Sequence, residues 1–118
     1  MTMNFDELPE FTKECKKLAK KYRSLENDLA QFTAIVTTIP RGNSKHFNVL
    51  VEEECFCVVK ARLFCRYLKG SSLRIIYAYF QADDRIEFIE LYFKGDKENE
   101  NFERSAMYVK EKRKESKT

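Results

Sequence analysis

A chain of 118 residues is long enough for one domain with one modest core and too short for two. Hydrophobic residues make up 43% and charged residues 35%, which excludes a disordered chain. The formal net charge of +3 excludes nucleic-acid affinity through overall charge, so any such affinity must come from local clustering.

The N-terminus, Met-Thr-Met-Asn-Phe-Asp-Glu, has neither a basic n-region nor an apolar h-region, and no run approaches the ~18 apolar residues of a membrane span. A cytoplasmic, reduced chain is expected, with no membrane partner. Asn4-Phe5 suits a short edge strand. From Pro9, with Asp6 and Glu7 placed where carboxylates favour a helix N-terminus, Leu8, Phe11, Cys15, Leu18, Ala19, Tyr22 and Leu25 form one apolar stripe. Lys13, Lys16, Lys17, Lys20, Lys21 and Arg23 occupy the opposite face, which reads as solvated ahead of a nucleic-acid or membrane-surface element. Ser24 reads as a cap for a second helix whose stripe, Leu25, Leu29, Phe32, Ile35, Val36 and Ile39, runs to Pro40. Two helices joined this tightly should pack antiparallel.

Residues 41–44 break the pattern as a loop, and residues 46–51 read as a strand. The lone His46 has no carboxylate or second histidine near it in sequence, and a surface or strand-edge position is expected of it ahead of a catalytic role. Glu52, Glu53 and Glu54 read as a solvated turn or as pairing partners. Period-two alternation follows. Cys55, Cys57, Val59, Ala61, Leu63 and Cys65 share one parity, and Phe56, Val58, Lys60, Arg62, Phe64 and Arg66 the other. One face is therefore core and the other largely basic. After a positively charged turn containing Lys69, Arg74 falls out of phase with Leu73, Ile75 and Tyr77 and adds to the basic face. Residues 81–85 read as a turn, and residues 86–93 as a strand apolar on both parities and hence doubly covered. Residues 94–99 leave the sheet as a polar loop. Phe102, Ala106 and Val109 space a final helix, and residues 111–118 form a polar, fraying tail to a single domain of residues 1–110.

Three of the four cysteines share the core parity, and Cys15 lies on the helical stripe, so buried thiols are expected. One histidine and a tight Cys-x-Cys give poor spacing for zinc, so no metal is expected.

The expected fold is α+β: a two-helix hairpin over residues 9–39 packed on a curved antiparallel sheet of roughly three to five strands, with a short C-terminal helix. Leu18, Leu25, Leu29, Phe32, Val59, Leu63, Ile75 and Leu91 should share its core. Parity puts Lys60, Arg62 and Arg74 on one surface, reached by Tyr92 and Lys94 if the last strand presents its even residues there. Such a floor suits RNA cleavage by the 2′-hydroxyl, which needs a base, cations for the doubly charged phosphorane and an acid for the leaving oxygen. Lys60 or Lys94, crowded by cations, would serve as base, and Tyr92 as proton donor or relay. The competing role for these cations is to solubilise an exposed sheet face.

Ser71-Ser72-Leu73-Arg74-Ile75-Ile76-Tyr77, preceded by Val59-Lys60-Ala61-Arg62 and followed by Ile89-Glu90-Leu91-Tyr92-Phe93-Lys94-Gly95-Asp96-Lys97, resembles the RelE/ParE toxin superfamily, in particular its RelE/HigB-like branch. Residues 11–29 resemble that family's lysine-rich helical hairpin. The resemblance implies a ribosome-dependent mRNA interferase of a toxin-antitoxin module, using no cofactor and partnered by a cognate antitoxin, the ribosome and mRNA. It implies catalytic roles for Arg74, for the pair Lys60 and Arg62 and for Lys94 or Lys97; Tyr92 joins the catalytic set from strand parity, and RNA contacts are expected from Lys60, Arg62, Arg66, Lys69, Arg74 and Lys97. Two departures stand out. The family's glycine before the arginine is replaced in Ser71-Ser72-Leu73, and the tyrosine or histidine after the last strand falls at Asn101-Phe102, with no acid-base group; Tyr92 and Tyr108 are the substitutes. A gyrase-poisoning ParE-like toxin and a noncatalytic RNA- or protein-binding module are the competing functions.

Overall fold

The computed structural model describes residues 2–43, 45–69 and 72–116. The first helix, α1 (Pro9–Lys21), begins with proline, whose missing N–H costs nothing at that position, and it buries Phe11 and Leu18. The second, α2 (Leu25–Thr38), buries Leu25, Phe32 and Val36. Ser24 occupies the N-cap position, as expected, but its side chain makes no capping bond. The Ser24 hydroxyl instead donates to Asp28 Oδ2 at 2.6 Å and accepts from the Tyr67 backbone N–H at 2.9 Å, while Asp28 Oδ2 also accepts from the Arg66 N–H at 3.2 Å. The first turn of α2 thereby pins the 3-10 turn Arg66–Leu68. Of the expected stripe, Ile35 and Ile39 remain exposed.

Five strands, β1 (Asn4–Glu7), β2 (Phe47–Glu52), β3 (Cys57–Phe64), β4 (Ser72–Phe80) and β5 (Arg85–Phe93), form one sheet in the order β1-β5-β4-β3-β2. The sheet is mixed, not wholly antiparallel as expected, because β1 pairs parallel to β5. Only antiparallel neighbours can be joined by a short turn; α1 and α2, lying between β1 and the rest of the sheet in sequence, free β1 to run parallel. Seven of the eight expected core residues are buried together under the helical hairpin, and Leu29 packs against them half-buried. Val59 faces this core and Arg62 faces away from it, as alternation requires.

The opposite face is not uniformly basic. A final helix, α3 (Phe102–Ser116), lies over part of it and closes a second core from Phe56, Val58, Ile76, Ala78, Phe80, Ile89, Tyr108 and Val109. This helix continues beyond Lys110, where fraying was expected; Arg113 there ion-pairs with Glu53, and residues 117–118 lie outside the described residues. Of the residues expected to space the helix, Val109 is buried but Phe102 and Ala106 are exposed. Docking comes instead from the bidentate pair of Arg104 with Glu14 of α1, both bonds 3.0 Å, and from Tyr108. Strand β5 serves both cores through a bulge. Ile76 pairs with Glu90 but Tyr77 with Phe88, so Ile89 is the extra residue and joins the second core.

Cys57 and Cys65 are buried and Cys15 is partly covered, but Cys55 is exposed, against its parity, because it precedes the first residue of β3. Burial, with Glu7 and Glu14 adding, pushes the Cys15 thiol up to about 12, and burial likewise raises Cys57. Since the thiolate is the reactive form, iodoacetamide on the folded protein at mildly alkaline pH should label Cys55 first, as peptide mapping would show. Among the described residues no helix is long and apolar enough to cross a membrane, and no group of three or more His, Cys, Asp or Glu side chains could hold a metal ion.

Candidate nucleic-acid interface

The part of the second sheet face that α3 leaves uncovered is built from the ends of β3, β4 and β5. Arg62 and Arg74 are direct cross-strand partners, and Arg74 is in turn opposite Tyr92. Two like charges facing each other across a ladder are destabilising, so the pair needs a reason other than stability. Neither arginine takes part in an ion pair among the described residues. Burial, and then the neighbouring Arg62 charge, pull the Arg74 guanidinium below its ordinary value, with Tyr92 opposing them. A guanidinium still stays charged at any physiological pH. Its orientation is fixed by a 2.7 Å bond from Nη1 to the Ser72 hydroxyl. Ser72 thus supplies an anchor at the first departure from the family pattern; Ser71 lies outside the described residues.

Both arginines line an open cleft of ≈ 350 Å³ together with Lys60, Lys45, His46 and Asn48. Lys60 is not the poised base expected of it. Its Nζ is 2.8 Å from Glu100 Oε1, and Glu100 is itself buried. Burial is the largest influence on Lys60 and favours its neutral form, but Glu100 and Tyr92 together outweigh it and leave the ammonium above its ordinary value. A lysine so held is a cation at neutral pH.

Tyr92 is buried, its hydroxyl makes no hydrogen bond among the described residues, and Lys97 lies over its ring at 5.2 Å. Lys97 also pairs with the fully buried Glu90, which accepts from the Asn101 N–H at 2.8 Å. The β5–α3 connection is in this way fastened over the floor beside the cleft. Tyr108, the other substitute acid, donates to Glu87 at 2.6 Å in the second core; burial first, then Glu87, drive its phenol far above its ordinary value. It does not line the cleft. Lys94 is exposed in the turn after β5, and Arg66 and Lys69 sit on the 3-10 turn and its left-handed exit, outside the cleft lining.

His46 is the residue that sequence reasoning undervalued. Phe47 pairs with Ala61 and the Arg62 N–H donates to the His46 carbonyl at 3.0 Å, so His46 enters β2 beside Arg62. Its ring meets the exposed Phe64 edge-on, with centroids 5.1 Å apart, and its Nδ1 is buried without a partner. The β2–β3 register was the signal that would have found it.

Neither a family model nor a curated protein sequence matches this chain. Its architecture, an α+β sheet with a helical hairpin on one face, is a fold shared with a solved structure. One solved structure it is similar to is the archaeal RelE-RelB complex from Pyrococcus horikoshii OT3, with a TM-score of 0.61 and 22% identity over 80% of this chain and 98% of that one.

Proposed function

We propose that this protein is the toxin of a toxin-antitoxin pair and an endoribonuclease that cuts mRNA on the ribosome. The observation that carries the reading is the Arg62–Arg74 cross-strand pair, unneutralised at the floor of an open cleft, because phosphate is the ligand that converts that repulsion into binding. Attack of a 2′-hydroxyl on the adjacent phosphorus creates a phosphorane with one more negative charge than the ground state. Fixed guanidinium groups therefore gain more in the transition state than on binding. Lys60 enters as a third cation, not as a base, and RNA phosphate competes with Glu100 for it. Arg66, Lys69, Lys94 and Lys97 contact the flanking backbone and set register without reading sequence. The antitoxin supplies an acidic segment to the same face, and its affinity should fall as salt rises.

Induction of the gene in growing bacteria tests the reading. Arrest with mRNA cut inside codons, mapped by primer extension and relieved by co-expression of the neighbouring gene, is expected. Arrest with intact mRNA and broken DNA would mean a gyrase poison, and neither effect would mean a binding module.

A further inference from the structure

We infer that His46 is the group that removes the 2′ proton in this reaction. The inference rests on the nuclease reading above and fills a position that reading leaves vacant. Every other candidate base or acid fails on geometry: Lys60 is ion-paired to Glu100, Lys94 sits in the exposed turn after β5 outside the cleft lining, Tyr92 is buried beneath Lys97, and Tyr108 is bound to Glu87 in the second core. His46 is the one imidazole among the cleft-lining side chains, and it is free of any side-chain hydrogen bond among the described residues. Edge-on packing against Phe64 holds the ring, and burial of Nδ1 leaves Nε2 as the atom that reaches substrate.

In the step, Nε2 of neutral His46 accepts the 2′-hydroxyl proton as the oxygen lone pair forms the new P–O bond. The bond from phosphorus to the 5′ oxygen then breaks, and water in the open cleft protonates the departing alkoxide. Histidinium returns its proton to solvent, so no oxidant, reductant or further reactant is needed. The products are a 2′,3′-cyclic phosphate and a 5′-hydroxyl. Arg62 and Arg74 hold the charged phosphorane throughout.

The test compares wild type, H46A and H46Q on programmed ribosomes, with circular dichroism to show that each variant is folded. Positioned proton transfer is typically worth roughly 10²–10⁴-fold, so H46A and H46Q should be slower by that factor. Added imidazole should restore part of the H46A rate and none of the H46Q rate, because only the alanine variant has space for it. Rates equal to wild type would overturn the inference, as would a slow, folded H46A that imidazole does not rescue. A wild type that leaves mRNA intact would overturn the nuclease reading and this inference together, whereas a cutting wild type with an unaffected H46A would overturn this inference only.

Discussion

Arg74→Ala and Arg62→Ala should each lower mRNA cleavage by about a hundred- to a thousandfold, the usual cost, about 2.7–4 kcal/mol, of losing one group that stabilises transition-state charge. Stability should move the other way or not at all. Each arginine faces its like-charged partner across the β3–β4 ladder, neither holds an ion pair among the described residues, and removing one relieves the repulsion. Chemical denaturation of the two variants beside wild type checks this. An activity loss accompanied by a matching loss of stability would mean that the arginines hold the sheet rather than serve a ligand. Ser72→Ala should share part of the activity loss, since it frees the Arg74 guanidinium that the serine hydroxyl orients.

Phe11→Ala should cost about 3–5 kcal/mol of folding stability, as a fully buried aromatic deleted from a core usually does. Phe11 joins α1 to the sheet by stacking on Phe88 at 5.1 Å, and Phe88 also packs edge-on to Tyr77 and stacks on Phe5 of β1. Its loss therefore leaves a cavity where α1 meets the sheet at β5, beside β1 and β4. Tyr77→Phe, which removes only a 2.7 Å hydrogen bond to the Pro40 carbonyl, should cost about 1 kcal/mol. Urea denaturation read as a shift in midpoint at constant slope measures both. A Phe11→Ala cost no larger than that of Tyr77→Phe would mean that the helical hairpin contributes little to the core.

Alternation and helical spacing were enough to place the main core, because Leu18, Phe32, Val59, Leu63 and Ile75 each obey the period of their own element. They were silent where the constraint is tertiary. The covering of the second sheet face depends on α3, whose anchors Arg104 and Tyr108 are polar and fall outside the apolar spacing of Phe102, Ala106 and Val109. The β5 bulge at Ile89 reverses parity within one strand, so Ile86 and Phe88 before it and Leu91 after it all reach the main core, which explains why that strand reads as apolar on both parities. The site was legible in the same measure. Lys60, Arg62 and Arg74 follow from parity within single strands. The capture of Lys60 by Glu100, 40 residues away, and the arrival of His46 beside Arg62 require the folded connection and the β2–β3 register.

The most direct measurement is made with purified protein, ribosomes and a short message in a reconstituted translation system, with the ends of any fragments identified chemically. Wild type is expected to release fragments that carry a 2′,3′-cyclic phosphate and a 5′-hydroxyl only when the message is on the ribosome, with folded Arg62→Ala and Arg74→Ala releasing few or none. Intact message with wild type, or fragments formed equally well by both arginine variants, would contradict the assignment of this face as the cleavage site.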